Sequence, residues 1–388
     1  MKILHLITAL ETGGAETMLA KLLESMDAGL YQPVVVSMIK PGLMGERIVA
    51  SGAELLDLGM SRGLPSPLAL VRLVSLLHEH HPDVVQTWLY HADLLGLVAA
   101  RTAFPLGRRP AVAWNLRCSF MDFSQYRRST AWTVRLCARL SGLPDAVAAN
   151  SRAAVDRHIS LGYSPRRFEV IPNGFDAGLF RSQPAAAALL RRELGVPPES
   201  LLVGMAARFD PMKDHRTFVR AAGIAAAQRP DVHFVCCGQG VDPENEQLDR
   251  WAKQARLNGR LHLLGQRRDV ERFLAGLDLC ASSSMGESFP NVLGEALCCG
   301  VPCVATDVGD SAAIVGRSGE IVRPGDPDAL ARAMLRLLDL PAAERSRLGC
   351  EGRMRMIRDY SLEAMAARYA RLYDSLARTG REMKDPGE

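Results

Sequence analysis

Two glutamates, Glu287 and Glu295, stand eight residues apart in the stretch MGESFPNVLGEALCCG. A strand-like run precedes them, and the second sits on a short helix that Gly300-Val301-Pro302 stops. That arrangement can put one carboxylate at the mouth of a cleft and the other a helical turn deeper, which suits a ligand with hydroxyls at two places. A pair of acids at this spacing is by itself more often an ordinary solvated helix face, so the neighbours carry the reading. Pro290, after Phe289, is expected at the first helical position, where its missing N–H is no loss. Val292, Leu293, Ala296 and Leu297 form the buried stripe. The free N–H groups of Asn291, Val292 and Leu293 would then face the cleft, and such a helix start attracts anions.

A second candidate group is cationic. ARFDPMKDH puts Arg208 and Lys213 just past the end of a predicted strand. A planar guanidinium fork and a mobile ammonium can together hold a diphosphate. The alternative is an arginine and a lysine in water, although a lysine at a helix start opposes the macrodipole. Nearer the N-terminus, TALETGGAET sets Gly13 and Gly14 between a strand and a helix, allowing close backbone approach. The spacing is not G-x-G-x-x-G, so a dinucleotide fingerprint is not met, and a glycine pair also makes a plain turn. His91 follows the strand DVVQTW through Leu89-Tyr90 and brings an imidazole to the same sheet edge, with a helix cap as the ordinary alternative. His78, His80 and His81 read as an exposed helix end. Asp326-Pro327-Asp328 has the spacing of a metal–diphosphate holder, but it directly precedes the helical run ALARAMLRLL. Helix capping explains it, and no metal is expected.

The elements that must position these groups alternate almost from end to end. Strands are predicted over 2–8, 33–39, 53–58, 83–88, 110–115, 145–150 and 168–173, and helices over 15–27, 66–80, 91–103, 124–142 and 151–161. The rhythm breaks over 177–198, which reads as an inter-domain connection. It restarts with strands over 200–207, 233–238, 260–265, 277–282, 302–307 and 319–324, and helices near 213–229, 243–257, 290–299 and 327–339. Such alternation predicts parallel sheets covered on both faces. The expected organisation is a Rossmann-like domain over 1–176, another over 199–360, and a final segment, 361–388. Leu362, Met365, Tyr369, Leu372 and Leu376 line one stripe of that last helix, which is expected to pack back on the first domain, with EMKDPGE frayed. In doubly wound sheets ligands sit outside the carboxyl ends of the strands, so two facing domains would form a cleft there.

Composition bounds the function classes. The chain has 388 residues, enough for two domains of roughly 150 to 200 residues. It is 48% apolar and 23% charged, and a net charge of +4 is too small to imply nucleic acid. No apolar run reaches the roughly 18 residues that span a bilayer. MKILHLITAL runs into TGGAET instead of a cleavage site, so it reads as a strand and loop, not a signal peptide. The nine cysteines include adjacent pairs at 236–237 and 298–299 without repeated C-x-x-C spacing, as in a reduced, cytoplasmic protein. Between Arg101 and Arg139 eight arginines meet one acid, Asp122, and interleave with Trp114, Phe120, Phe123, Tyr126 and Trp132. This is either a solvated helix face or a basic, aromatic surface for an anionic membrane or a lipid phosphate. No nucleic-acid module accompanies it, and no nucleic-acid partner is expected.

These motifs occur in the order and spacing of the retaining nucleotide-sugar glycosyltransferases of GT-B architecture, of the family 4 type, which the chain resembles over nearly its whole length. GESFPNVLGEALCCGVPCVATDVG is similar to the family's diagnostic stretch, and AARFDPMKDH to its Arg/Lys phosphate motif. IPNGFDAGLF resembles its inter-domain Asn-Gly segment, and TGGAET its glycine loop. TWLYHADLLG with AWNLRCS most resembles a subgroup that assembles polysaccharide and O-antigen. The resemblance implies a GT-B fold of two facing Rossmann-like, doubly wound domains. It implies that Arg208 and Lys213 hold the donor diphosphate and stabilise it as leaving group, that Glu295 binds ribose hydroxyls, and that Glu287 contacts the transferred sugar. The backbone of Ser288, Phe289, Pro290, Asn291 and Val292 would contact sugar and phosphate, with Gly13 and Gly14 also on the donor. Gly238, Gln266 and Arg267 would line the base pocket, His91 would contact the donor sugar, and Asn115 and Arg117 would fall on the acceptor side. Two departures affect the base side: AARF lacks the glycine that often precedes the arginine, and Gln239 interrupts a usually glycine-rich strand end.

The implied enzyme retains anomeric configuration and needs neither metal nor cofactor. It would move a hexosyl or N-acetylhexosaminyl group from a UDP-sugar to a glycan or polyprenyl-phosphate-linked acceptor. Its expected place is the cytoplasm, with the 101–139 segment touching the membrane face peripherally. A GT-B nucleotide-sugar epimerase, which releases free sugar without an acceptor, is one alternative. A catalytically silent nucleotide-sugar-binding subunit is another, and the intact set of Glu287, Glu295, Arg208 and Lys213 argues against it.

Overall fold

Short runs rich in Val, Ile, Leu and Ala, buried on both faces, build two all-parallel sheets. The computed structural model describes residues 1–11, 13–61, 66–105, 109–119 and 128–382, with side chains described to residue 378. One unit comprises Met1–Gly174 together with the chain from Leu362, and the other comprises Phe175–Ser361.

In the first unit the strands are β1 (Lys2–Ile7), β2 (Gln32–Ile39), β3 (Glu54–Met60), β4 (Val84–Trp88), β5 (Ala111–Leu116), β6 (Ala146–Ala149) and β7 (Phe168–Val170), in the order β3-β2-β1-β4-β5-β6-β7. Side chains alternate across a strand, so β1 sends Leu4 and Leu6 to one face and Ile3 and Ile7 to the other. On the first face they meet Leu73 and Leu77 of the helix Pro67–His80, Leu97 of Tyr90–Ala103 and Val134 of Arg128–Leu140. On the second face they meet Met18 and Leu22 of the helix Gly14–Ser25 and Met365, Tyr369 and Leu372 of the last helix, Leu362–Glu382. Full burial of one such side chain stabilises by about 1.5–3 kcal/mol, so the last helix is an integral layer of this unit. The chain passes closely where it leaves and returns: a Cβ on Gly174 would stand 3.0 Å from the Cα of Leu362.

In the second unit the strands are β8 (Leu201–Ala206), β9 (Val232–Cys237), β10 (Leu261–Leu263), β11 (Leu279–Ser282), β12 (Cys303–Thr306) and β13 (Gly319–Val322), in the order β10-β9-β8-β11-β12-β13. Val203, Phe234 and Val304 face the helices His215–Gln228 and Pro327–Leu338, while Leu202, Val235 and Cys303 face Asn291–Cys298 and Ala342–Tyr360. Each unit is thus a doubly wound sheet with helices on both faces, as the alternation predicts.

Several local expectations differ from the structure. Residues 177–198, read as a connection, lie in the second unit, where Phe180 and Leu190 are buried. The helix Ala342–Tyr360 is not anticipated by its pattern, because only Gly349, Gly352 and Met356 are buried on it. A Cβ on Gly349 would strike the carbonyl of Gly300, so the helix packs by backbone approach and leaves no apolar stripe to read. His80 is buried, not exposed, and sits 3.8 Å from the Glu54 carboxylate. Arg108, Phe120, Asp122, Phe123, Tyr126 and Arg127 of the basic segment, and the tail from 383, lie outside the described residues. All nine cysteines are thiols, and burial pushes those of Cys237 and Cys299 up to about 12. Among the described residues no helix is long and apolar enough to cross a membrane.

Candidate functional site

Each sheet order reverses once, between β1 and β4 in the first unit and between β8 and β11 in the second. At such a point the loops leaving the strand ends diverge and open a crevice. In the second unit those loops are 207–214, carrying Arg208 and Lys213, and 283–290, carrying Glu287. The first loop makes a short 3₁₀ turn, Pro211–Lys213, capped by Asp210, which accepts from the Met212 N–H at 2.8 Å and from Arg208 Nε at 3.0 Å. Asp214 takes a left-handed conformation, φ 45°, and caps the next helix through the Thr217 N–H at 3.1 Å.

The two loops are fastened to each other. Ser283 Oγ donates to the carbonyls of Lys213 and Asp214, both at 2.9 Å, and the Met285 N–H donates to the Met212 carbonyl at 2.7 Å. Thr306 Oγ1 donates to the Ser284 carbonyl at 2.6 Å. This framework sets Lys213 Nζ in an ion pair with Glu287 Oε1, and Ser284 Oγ donates to the same carboxylate oxygen at 2.9 Å. The two side chains are 22% and 16% exposed, whereas Arg208 is 62% exposed. A diphosphate arriving here meets an accessible guanidinium fork and an ammonium whose present counter-ion is a carboxylate. Displaced from Lys213, that carboxylate becomes an acceptor for hydroxyls.

Around the glutamate pair the helix begins one residue later than its pattern suggests. Pro290 is the N-cap of the helix Asn291–Cys298, with ψ at 98°, and not its first residue. Its extended ψ delays the helix by one position. Phe289 is buried against Phe175, with ring centroids 6.1 Å apart, so its side chain serves the core. Glu295 is partly exposed on that helix. Gly309, at φ +56°, lets the following turn press on the Glu287 and Ser288 carbonyls, where any Cβ would collide. On the expected base side, Gly238 is packed so closely on the Ala207 carbonyl that no side chain fits. Gln266 is exposed. Arg267 pairs with Glu193 at 2.5 Å and Asp269 at 2.8 Å and is 10% exposed, so its guanidinium braces the scaffold.

At the corresponding end of the first sheet, Gly13 is the N-cap of the helix Gly14–Ser25. The Glu16 carboxylate folds over Gly13 into the space a Cβ would take. The helix start expected to be open to an anion therefore already faces an acid, whose pKa burial raises against the pull of its own N–H and of Arg117. Arg117 donates to Asn173 Oδ1 at 2.5 Å and lies 5.5 Å over the Trp88 ring. Asn115, expected on the acceptor side, is fully buried and donates to the Tyr369 hydroxyl at 2.8 Å. Its place on β5 turns it inward against the last helix, which corrects that expectation.

His91 is the second residue of the helix Tyr90–Ala103. The turn that delivers it is strained: Leu89 has φ 74° and ψ 152°, a region glycine normally takes, at about 1–3 kcal/mol. Half-burial lowers the pKa of His91, and the ring lines an apolar cavity of about 760 Å³ within the first unit. Behind it, Asp93 is fully buried, accepts from Thr87 Oγ1 at 2.5 Å, and has its carboxyl pushed up by burial to about 8. Ser283, Ser284, Leu89 and Asp93 were not anticipated. The serine run SSSMGE ahead of Glu287 is the one usable signal, since nothing in the residue type of Leu89 marks its strain.

Comparison with known proteins adds independent findings. A family model described as Glycosyltransferase Family 4 matches residues 12–179, and one described as Glycosyl transferases group 1 matches 200–340. The chain is 31% identical over 358 residues to the D-inositol 3-phosphate glycosyltransferase of Thermobispora bispora, covering 86% of this chain and 81% of that one. It is 26% identical over 279 residues to the Escherichia coli UDP-Gal:alpha-D-GlcNAc-diphosphoundecaprenol alpha-1,3-galactosyltransferase, covering 70% of each. Among solved structures, Alr3699/HepE from Anabaena in complex with UDP superposes with a TM-score of 0.82 at 24% identity, over 97% of this chain and 100% of that one. At that identity the likeness speaks for the fold.

Proposed function

The chain belongs to the glycosyltransferases of family 4 and group 1 type, with the GT-B fold, and from that premise we propose a retaining, metal-independent transfer. The group moved is a hexosyl or N-acetylhexosaminyl residue, taken from a UDP-sugar and delivered to a glycan or a polyprenyl-phosphate-linked acceptor in cell-surface polysaccharide assembly. The observation that carries this reading is the cationic pair Arg208 and Lys213 beside Glu287 at the switch point of the second sheet.

As the bond from the anomeric carbon to the diphosphate breaks, its electron pair goes to the phosphate oxygen. Preorganised cations there stabilise charge that develops only in the transition state. They supply the electrostatic role a metal would otherwise fill. The acceptor hydroxyl attacks the same face of the sugar, its proton passing to the departing phosphate oxygen, so Glu287 orients hydroxyls and forms no bond to carbon. Glu295 holds the ribose, and His91 contacts the sugar. The UDP donor and the lipid-linked acceptor are supported by the name of the Escherichia coli relative, and HepE, of the same fold, was crystallised with UDP. The exposed basic helix Arg128–Leu140 supports peripheral contact with the cytoplasmic membrane face.

The test is incubation with UDP-, GDP- and ADP-sugars, a lipid-linked acceptor and a chelator. The expected product carries the anomeric configuration of the UDP donor, at a rate the chelator leaves unchanged. Inversion, loss of rate on chelation, or free sugar released without acceptor would each overturn the reading.

A further inference from the structure

The cavity beside His91 has a chemistry that the sugar-transfer residues do not account for. It opens at the carboxyl ends of β1 to β3 and is walled by the helices Pro67–His80, Tyr90–Ala103 and Arg128–Leu140. Met38, Ile39, Met60, Leu70, Leu94 and Leu95 form its body. Among the described lining residues there is no carboxylate, lysine or arginine. A space of about 760 Å³ is ample for a ligand, and the surface that lines it is mostly apolar, which suits a sugar ring or a nucleotide poorly. A hydrocarbon chain needs none, and thioether side chains adapt to its shape. The polar side chains among the described lining residues are the imidazole of His91 and six serine and threonine hydroxyls.

The same helix that walls the cavity presents a different face outward. Thr130 and Thr133 line the cavity, while Arg128, Trp132, Arg135, Leu136 and Arg139 fall on an exposed stripe at helical spacing. Trp132 is 66% exposed, with the Arg135 guanidinium 5.9 Å over its ring. Leu68 and Val71 of the helix Pro67–His80, which lines the same cavity, are exposed as well. Exposed Trp and Leu between arginines suit a headgroup interface carrying phosphate.

We propose that this cavity takes the long hydrocarbon chain of a phosphate-linked acceptor lipid, drawn from a membrane surface on which the Arg128–Leu140 helix rests. The assignment rests on the transferase reading, chooses the lipid-linked acceptor over a free glycan, and gives its apolar chain a site. It puts the apolar chain in the first unit and leaves the nucleotide to the second.

Calorimetric titration of the full chain with butyl, hexyl, octyl and decyl phosphate tests it, with UDP titrated in the same preparations. Each methylene that enters an apolar site contributes about 0.8 kcal/mol, or about fourfold in affinity. The affinity should therefore climb about fourfold per methylene until the cavity is full. Val98→Glu, which sets a charge at a partly exposed lining position, and Leu70→Trp, which fills the space, should each weaken decyl phosphate at least ~10-fold while UDP binds as before. A flat series, or a rise that both variants leave intact, overturns the assignment. Failure of the wild-type protein to bind UDP would instead strike the donor reading, so the two failures are distinguishable.

Discussion

Removing Lys213 and Glu287 singly and together separates a structural ion pair from a working one. The pair is mostly shielded, at 22% and 16% exposure, and Ser284 adds a third contact. Surface pairs are worth about 0–1 kcal/mol, while stripping one partner from a fully buried pair costs about 3–5 kcal/mol. A half-buried pair falls between, so Lys213→Ala should destabilise the second unit by about 1–3 kcal/mol, and Lys213→Ala/Glu287→Ala should regain much of that, because no lone charge remains. UDP binding should split the two single variants by sign. Losing a charge-assisted contact of about 1.5–3 kcal/mol weakens UDP about 10- to 100-fold in Lys213→Ala. Glu287→Ala removes the carboxylate that competes for the ammonium, and UDP lacks the transferred sugar that Glu287 would hold, so UDP should bind several-fold tighter. Turnover should fall about 10²- to 10³-fold in Lys213→Ala and stay down in the double variant, since the leaving-group contact is gone in both. Urea unfolding, calorimetry with UDP and the rate of UDP release from donor measure the three quantities. If the double variant recovers turnover along with stability, or if Glu287→Ala weakens UDP as much as Lys213→Ala does, Lys213 has only a structural role.

Three further outcomes follow from single residues. Gly309→Ala puts a Cβ against the Glu287 and Ser288 carbonyls at φ +56°, so calorimetry should find UDP binding reduced at least ~10-fold and unfolding earlier. Asp93 keeps its proton in the folded chain up to about pH 8, while the unfolded chain releases it near 3.8. Its stabilising share is therefore complete below 3.8 and lost as pH rises toward 8, on the order of 4 kcal/mol between pH 5 and 8, and urea unfolding of Asp93→Asn should lack that slope. His215 runs the other way: burial lowers its pKa to about 4, so its share is present above 6.5 and lost as pH falls from 6.5 to 4. His215→Phe should flatten that acid limb of the unfolding curve.

The strands were legible because a strand buried on both faces must be a short, continuous apolar run, and each run here is bounded by turn residues. The candidate loops were legible for the same reason, since they begin where those runs end. What stayed hidden depends on side chains meeting across the fold. The role of Asn115 is decided by Tyr369, far along the chain, and that of Glu16 by the missing Cβ of Gly13. Arg267 looks like a ligand until Glu193 and Asp269 close on it. The helix Ala342–Tyr360 packs through glycines, and glycine carries no hydrophobic signal for a periodic pattern to register.

The two units share one topology, so the sheets cannot decide which of them takes the diphosphate; the loops must. Both present a helix start near a switch point, and each start carries the partial positive charge that draws anions. In the first unit that charge is answered from within, because Glu16 folds its carboxylate over Gly13. A diphosphate approaching within ~5 Å of that carboxylate would meet a repulsion on the order of 3 kcal/mol at an effective dielectric of ~20. The second unit has the opposite balance, with Arg208 exposed and Lys213 held by a carboxylate it can exchange for a phosphate. The cavity beside His91 at the end of the first sheet instead offers Met38, Met60 and Leu94, with no cation among its described lining residues. On the proposed reading, charge directs the nucleotide to the second unit and leaves the first suited to an apolar ligand, and neither assignment requires any difference between the two frames.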